Sequence, residues 1–122
     1  MELLSENVAS YKKNKTEFNE IIAYDILIQM LESIKQLHDK GYIHRDIKPT
    51  NFVMSKDEPG VRNKTVYMVD FGLAKVHLDK NKKPLSARTN TDFRGTLTYA
   101  SLNAHLKKVI FLLSKIIFIF RN

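Results

Sequence analysis

Cysteine and tryptophan are absent from the 122 residues, and glycine and proline are scarce, at four and three. Without cysteine there is no disulfide, no thiolate zinc site and no thiol redox chemistry, which fits a reducing compartment, the cytoplasm or the nucleus. No apolar run reaches the ~20 residues that a bilayer-spanning helix needs. The longest candidate, Val109 to Phe120, is shorter and is interrupted by Lys115, so a membrane partner is not expected. The opening Met1-Glu2-Leu3-Leu4 lacks the basic and apolar regions of a secretory signal. No internal repeat is visible. The net charge is +7, yet there is no aromatic–basic repeat and no zinc-ligand spacing. Nucleic acid is therefore not expected as a partner, and the charge reads as a solvated basic surface.

What is present is enough for one small domain: 43 % of the residues are apolar, in the range of a packed core rather than a disordered chain. Residues 1–10 are mixed, and Tyr11-Lys12-Lys13-Asn14-Lys15 reads as a polar basic loop. Thr16 is a candidate N-cap, with Glu17 and Glu20 favourable at a helix start. Phe18, Ile21, Ile22, Ile26, Leu27, Met30, Leu31, Ile34 and Leu37 then recur at steps of three and four. That spacing predicts a helix from about Thr16 to Lys40, stopped by Gly41. The breadth of its apolar stripe predicts deep burial. Phe52-Val53-Met54 and Val66-Tyr67-Met68-Val69 are short β-prone runs on either side of a Pro59-Gly60 turn signal. Paired as a hairpin, they bring Asn51 and Asp70 to neighbouring strand ends. Lys75 to Phe93 lacks apolar periodicity and reads as a mobile loop. Ile116 to Phe120 is uncharged, β-branched and aromatic, a buried or aggregation-prone strand by composition.

The chemistry is concentrated in two short stretches. His44-Arg45-Asp46-Ile47-Lys48-Pro49-Thr50-Asn51 is followed, after the two β-prone runs, by Asp70-Phe71-Gly72. This order and these residue types spell a phosphoryl-transfer centre, in which the protein positions groups and neutralises charge. Asp46 is the candidate for accepting or orienting the proton of a substrate hydroxyl, because a carboxylate is ionised at neutral pH. Lys48 reaches the transferred phosphate and offsets its growing charge. Asn51 and Asp70 offer Mg²⁺ one neutral and one charged oxygen, the hard ligands that ion prefers. His44 and Arg45 read as scaffolding, with Arg45 placed to pair with a charge in the following loop. Gly72 supplies backbone freedom. His77 and His105 have no metal-ligand partner at useful spacing.

The two stretches, together with Phe52-Val53-Met54 and Leu73-Ala74-Lys75, resemble the casein kinase superfamily of protein kinases. Phe93-Arg94-Gly95-Thr96-Leu97-Thr98-Tyr99-Ala100-Ser101-Leu102-Asn103-Ala104-His105 is similar to the tau-tubulin kinase branch. The resemblance covers about residues 1–106. It implies an α+β, protein-kinase-like fold: a truncated carboxy-terminal lobe, mainly α-helical with short β-hairpins, the amino-terminal lobe being absent. It implies ATP and Mg²⁺ as cofactors and a protein substrate with a serine or threonine hydroxyl, since Lys48 two residues after Asp46 is the serine/threonine pattern. It makes Met1 to Leu4 the hinge between lobes, with the backbones of Glu2 and Leu4 facing adenine and Val53 and Val69 lining the nucleotide floor. It places Thr96 at the substrate-facing end of the activation segment, beside Asp46 and Lys48. The family often has a basic residue at the place of Thr98, and Arg94 is the candidate to compensate.

Within the 122 residues there is no Gly-rich loop and no lysine and glutamate pair to anchor the nucleotide phosphates. Residues 107–122 depart from the family pattern as an apolar tail. The expectation is a serine/threonine kinase by family that is inactive as an isolated stretch. The alternatives are a non-catalytic binding module derived from a kinase, or a membrane-associated fragment held by its tail.

Overall fold

The computed structural model describes residues 4–14, 18–56, 64–86 and 92–100. The Pro59-Gly60 turn, Glu2 of the expected hinge, Ser101 to His105 and the apolar tail lie outside the described residues. Two helices, α1 (Val8–Asn14) and α2 (Glu20–Asp39), pack with two small antiparallel sheets. One sheet pairs β1 (Tyr42–Ile43) with β4 (Lys75–Val76), and the other pairs β2 (Phe52–Met54) with β3 (Val66–Met68).

Helix α2 begins three residues later than its capping pattern suggests. Asn19, in extended backbone, is the N-cap, and its side-chain oxygen accepts the Ile22 N–H at 3.1 Å. The helix ends where the spacing places its stop: Gly41, at φ +83°, turns the chain and donates its N–H to the His38 carbonyl at 2.8 Å. Ile26, Met30 and Ile34, four residues apart, form its buried edge. Against them lie Val8, Phe52, Met54 and Val66, completing the core. The wide apolar stripe is not buried all round. Among the described residues, Ile21, Tyr24 and Ile28 are 80 %, 65 % and 55 % exposed. They occupy the opposite side of a helix that presents only one face to two short strands.

Polar contacts fix the register of these elements. Gln29, in the middle of α2, donates to the Lys64 carbonyl at 3.0 Å and accepts the Val66 N–H at 2.9 Å. It thereby holds the entry to β3 against the helix. The N-terminal stretch joins the same sheet from the other side. Ser5 N–H donates to the Met54 carbonyl and Met54 N–H to the Glu6 carbonyl, at 2.8 and 3.0 Å. Asn7 bridges Val53.

Residues 11–14, expected as a basic loop, belong to α1. Asn7 Oδ1 accepts the Ser10 N–H at 3.0 Å, Val8 is buried, and Tyr11 packs on the core. The lysines that mimic a loop are the solvent side of this helix, Lys12 and Lys13 lying in its last turn where cations are favoured. Of Lys75 to Phe93, expected as a mobile loop, residues 75–86 are likewise held by backbone bonds, and residues 87–91 lie outside the described residues. After β4, His77 N–H reaches the Gly41 carbonyl and Leu85 N–H the His77 carbonyl, both at 2.8 Å.

Candidate functional site

The site grows from the ends of the two sheets. β1 opens directly into residues 44–51, and β3 opens into residues 69–73. The pairing Phe52↔Met68 sets these segments side by side, and the Val69 N–H donates to the Asn51 carbonyl at 2.9 Å. Asn51 and Asp70 thus stand at neighbouring strand ends, as the hairpin pattern requires.

His44 staples the two segments. Its Nδ1 accepts the Asp46 N–H at 3.3 Å, so its Nε2 carries the proton and donates to the Val69 carbonyl at 3.0 Å. The ring is fully buried and stacks at a tilt on Phe71, centroids 5.4 Å apart. Arg45, at φ +70°, donates its Nε to the Leu73 carbonyl at 2.5 Å. Its partner in the following loop is therefore a backbone oxygen, not the charged side chain that the sequence suggests. A carbonyl is sufficient because the chain turns there through the short helical turn Phe71–Leu73. Burial, and secondarily the charge of Arg94, lower the Arg45 guanidinium below its ordinary value.

Asp46 is buried and accepts four contacts from three donor groups. Lys48 Nζ lies 2.7 Å from Oδ2. Thr96 Oγ1 donates to Oδ1 at 2.8 Å. Asn51 Nδ2 donates to the Asp46 carbonyl at 2.8 Å and to Oδ2 at 3.3 Å. Lys48 Nζ also donates to Thr96 Oγ1 at 3.2 Å. Burial pushes the Asp46 carboxyl up, but the hydrogen bonds and charge of Lys48 and the bonds from Thr96 and Asn51 outweigh it. The net effect holds the carboxyl below its ordinary range.

Thr96 reaches this cluster because the residue before it has no side chain. Gly95 sits at φ +114°, and a Cβ there would stand 2.5 Å from the Arg45 carbonyl oxygen. Sequence reading names Thr96 and passes over Gly95. The signal was the Gly-Thr step itself, a glycine where one backbone crosses another closely.

Asp70 adopts a left-handed conformation, φ 62° and ψ 68°, and its Oδ1 accepts the Gly72 N–H at 3.4 Å. Its second carboxylate oxygen remains for a cation. Asn51 commits its amide nitrogen to Asp46 and leaves its oxygen for the same use. One amide oxygen and one carboxylate oxygen fit Mg²⁺, which keeps water and phosphate as most of its ligands. No group of three or more histidine, aspartate or glutamate side chains arranged for a metal occurs among the described residues. Val53 and Val69 are partly buried beside this region, and Leu4 is partly buried next to Ser5, which pairs with Met54. No helix among the described residues is long and apolar enough to cross a membrane.

Comparisons with known proteins place the chain in a family. The family model described as protein kinase domain matches residues 1–104. A probable serine/threonine-protein kinase of Dictyostelium discoideum is 41 % identical over 110 residues, which cover 88 % of this chain and 22 % of that protein. The chain thus spans about a fifth of the length of that relative.

Proposed function

We propose, because the chain belongs to the protein kinase domain family, that its residues serve phosphoryl transfer from ATP to serine or threonine hydroxyls of a protein. The observation that carries this reading is the cluster on Asp46, in which Lys48, Thr96 and Asn51 meet one carboxylate. The similarity to a probable serine/threonine-protein kinase supports the choice of acceptor.

Each role follows from the chemistry of the cluster. A carboxylate held below its ordinary range is a weak base. Asp46 therefore orients the substrate hydroxyl and takes its proton late, rather than abstracting it beforehand. Lys48 places a cation where charge develops on the transferred group. Thr96 fixes both side chains and marks the floor on which the acceptor residue lies. Asn51 and Asp70 would hold Mg²⁺, which would supply charge neutralisation for the nucleotide phosphates. The backbones of Glu2 and Leu4 would face adenine, with Val53 and Val69 lining the floor of the nucleotide site.

We further infer the casein kinase superfamily and its tau-tubulin kinase branch, on the Asn51-Phe52 step and the segment from Phe93 to His105. Residues 1–106 form the kinase-derived part, a carboxy-terminal-lobe architecture, and 107–122 a distinct apolar tail. Absence of cysteine supports a cytoplasmic or nuclear location. The 122 residues alone contain no Gly-rich loop, and loss of a single charge-stabilising group costs about 10²–10³ in rate. Transfer by this stretch alone is thus negligible.

The test is transfer of radiolabelled phosphate from ATP to a serine- and threonine-containing protein. It is measured for the chain alone and for the chain joined to an amino-terminal kinase lobe. The expected result is background transfer alone, and transfer in the joined protein that Asp46→Asn abolishes. Activity indifferent to Asp46→Asn would refute the role of this carboxylate.

A further inference from the structure

Beyond β4 the chain forms a tight hairpin that the site does not use. Leu78 and Pro84 bridge across it. Asp79 N–H donates to the Lys83 carbonyl at 2.8 Å and Lys82 N–H to the Asp79 carbonyl at 3.0 Å. Lys82 takes a left-handed φ of 58°. This is a three-residue hairpin loop, a turn followed by one left-handed residue. Asp79 braces it from inside, its Oδ1 accepting the N–H groups of Asn81 and Lys83, each at 2.8 Å. Lys80, Lys82 and Lys83 are left exposed at the tip, and none forms an ion pair among the described residues.

We propose that this tip is a docking surface for an acidic segment of the protein substrate. Three ammonium groups within four residues create a local positive field, and the braced turn presents them without further ordering, so little entropy is lost on binding. The chemistry favours carboxylates of a polypeptide. Lysine is a hydrated point charge that pairs with a compact anion without the planar fork of arginine, and the anions that a protein substrate itself carries are its aspartate and glutamate carboxylates. Residues 78–86 include no aromatic side chain on which a nucleic-acid base would stack. β4 ties the tip to the site. It follows the Asp70 segment and pairs with β1, which opens into the Asp46 segment. No more than about 18 Å of extended chain separates Lys75 from Lys80. A substrate held at the tip therefore raises the effective concentration of its hydroxyl at Asp46. That the occupant is a protein substrate rests on the phosphoryl-transfer reading; the tip's affinity for carboxylates does not.

The experiment is fluorescence anisotropy of a labelled oligo-glutamate peptide titrated with the full chain, without nucleotide. Lys80→Glu, Lys82→Glu and Lys83→Glu together are expected to weaken binding about tenfold or more. The same charge change at the exposed Lys12, Lys13 and Lys56 is expected to change it by less than about threefold. Asp79→Ala separates geometry from charge. It makes the chain more positive but removes the brace, so binding is expected to weaken. Melting curves followed by circular dichroism identify variants that remain folded, and a Lys→Gln triple replaces any that do not. Equal weakening by both lysine triples, or tighter binding by Asp79→Ala, would reduce the effect to net charge and overturn the proposal. So would tip-dependent binding of an RNA oligonucleotide or of phosphatidylserine vesicles without binding of the peptide. Because no phosphate is transferred, these outcomes leave the catalytic roles untouched.

Discussion

Thr96 Oγ1 lies 2.8 Å from Asp46 Oδ1, although fifty positions separate the two residues in the chain. That bond, with the 3.2 Å contact from Lys48 to the same hydroxyl, couples the segment 92–100 to residues 44–51. Thr96→Ala removes a donor to an ionised carboxylate. A loss of about 1.5 kcal/mol is expected in chemical unfolding. Thr96→Ser keeps the hydroxyl and should recover most of it. Equal losses in both variants would mean that the methyl group, not the bond, is responsible.

Gly95 permits that approach. Gly95→Ala meets the Arg45 carbonyl at 2.5 Å and carries a φ of +114° that alanine adopts poorly. The expected cost is about 2 kcal/mol or more, unless the segment lifts away from the loop. Amide hydrogen exchange distinguishes the two responses. Detachment raises exchange at Tyr99 and Ala100, whose N–H groups otherwise bond the Thr96 and Leu97 carbonyls, and leaves α2 unaffected. Unchanged stability and unchanged exchange would contradict the packing.

The residues of the candidate site and α2 are legible in the sequence for different reasons. Asp46, Lys48, Asn51 and Asp70 are recognisable because their residue types and order match one chemistry. Helix α2 is recognisable because its apolar spacing persists over five turns. The sheet of β1 and β4 is not legible, since two residues per strand give no periodicity to read. Helix α1 is hidden because its exposed lysines look like a loop when only composition is considered. The exposed side of α2 is equally invisible, because Ile21 and Ile28 carry the same apolar signal as Ile26. The role of Gln29 leaves no signature either, as a mid-helix glutamine usually faces water.

Gln29→Ala tests that last contact. It leaves the Val66 N–H and the Lys64 carbonyl without their side-chain partner. A loss of about 1–3 kcal/mol is expected, with the fastest-rising amide exchange at Val66. Gln29→Glu keeps an acceptor for Val66 but sets a carboxylate against the Lys64 carbonyl and the Asp25 carboxylate, so at neutral pH a loss no smaller than that of Gln29→Ala is expected.

Two of the described groups shape stability against pH, at different ends of the acid range. Burial first, and then the charge of His77, lower the His38 imidazole below 6.5, with Asp39 opposing. Protonation therefore favours the unfolded chain. Stability is complete above the ordinary value and falls as pH drops below it. His38→Gln should flatten the decline in melting temperature between about pH 7 and pH 5. Asp46 acts lower. Its carboxyl is held below its ordinary range, so its contribution is present above about pH 3.9 and is lost as pH falls through the depressed value. Asp46→Asn should remove that acid limb and leave the one near neutrality unchanged.

The pairing of Asn51 with Asp70 as a nucleotide–metal site is open to the most direct measurement. Mn²⁺·ATP, a paramagnetic substitute for Mg²⁺·ATP, is titrated into the isotope-labelled chain and amide line widths are followed by NMR. Selective broadening at Asn51 and Asp70, greatly reduced in Asp70→Asn and weak throughout the rest of the chain, is the expected result. Broadening centred elsewhere, or unchanged by Asp70→Asn, would contradict it.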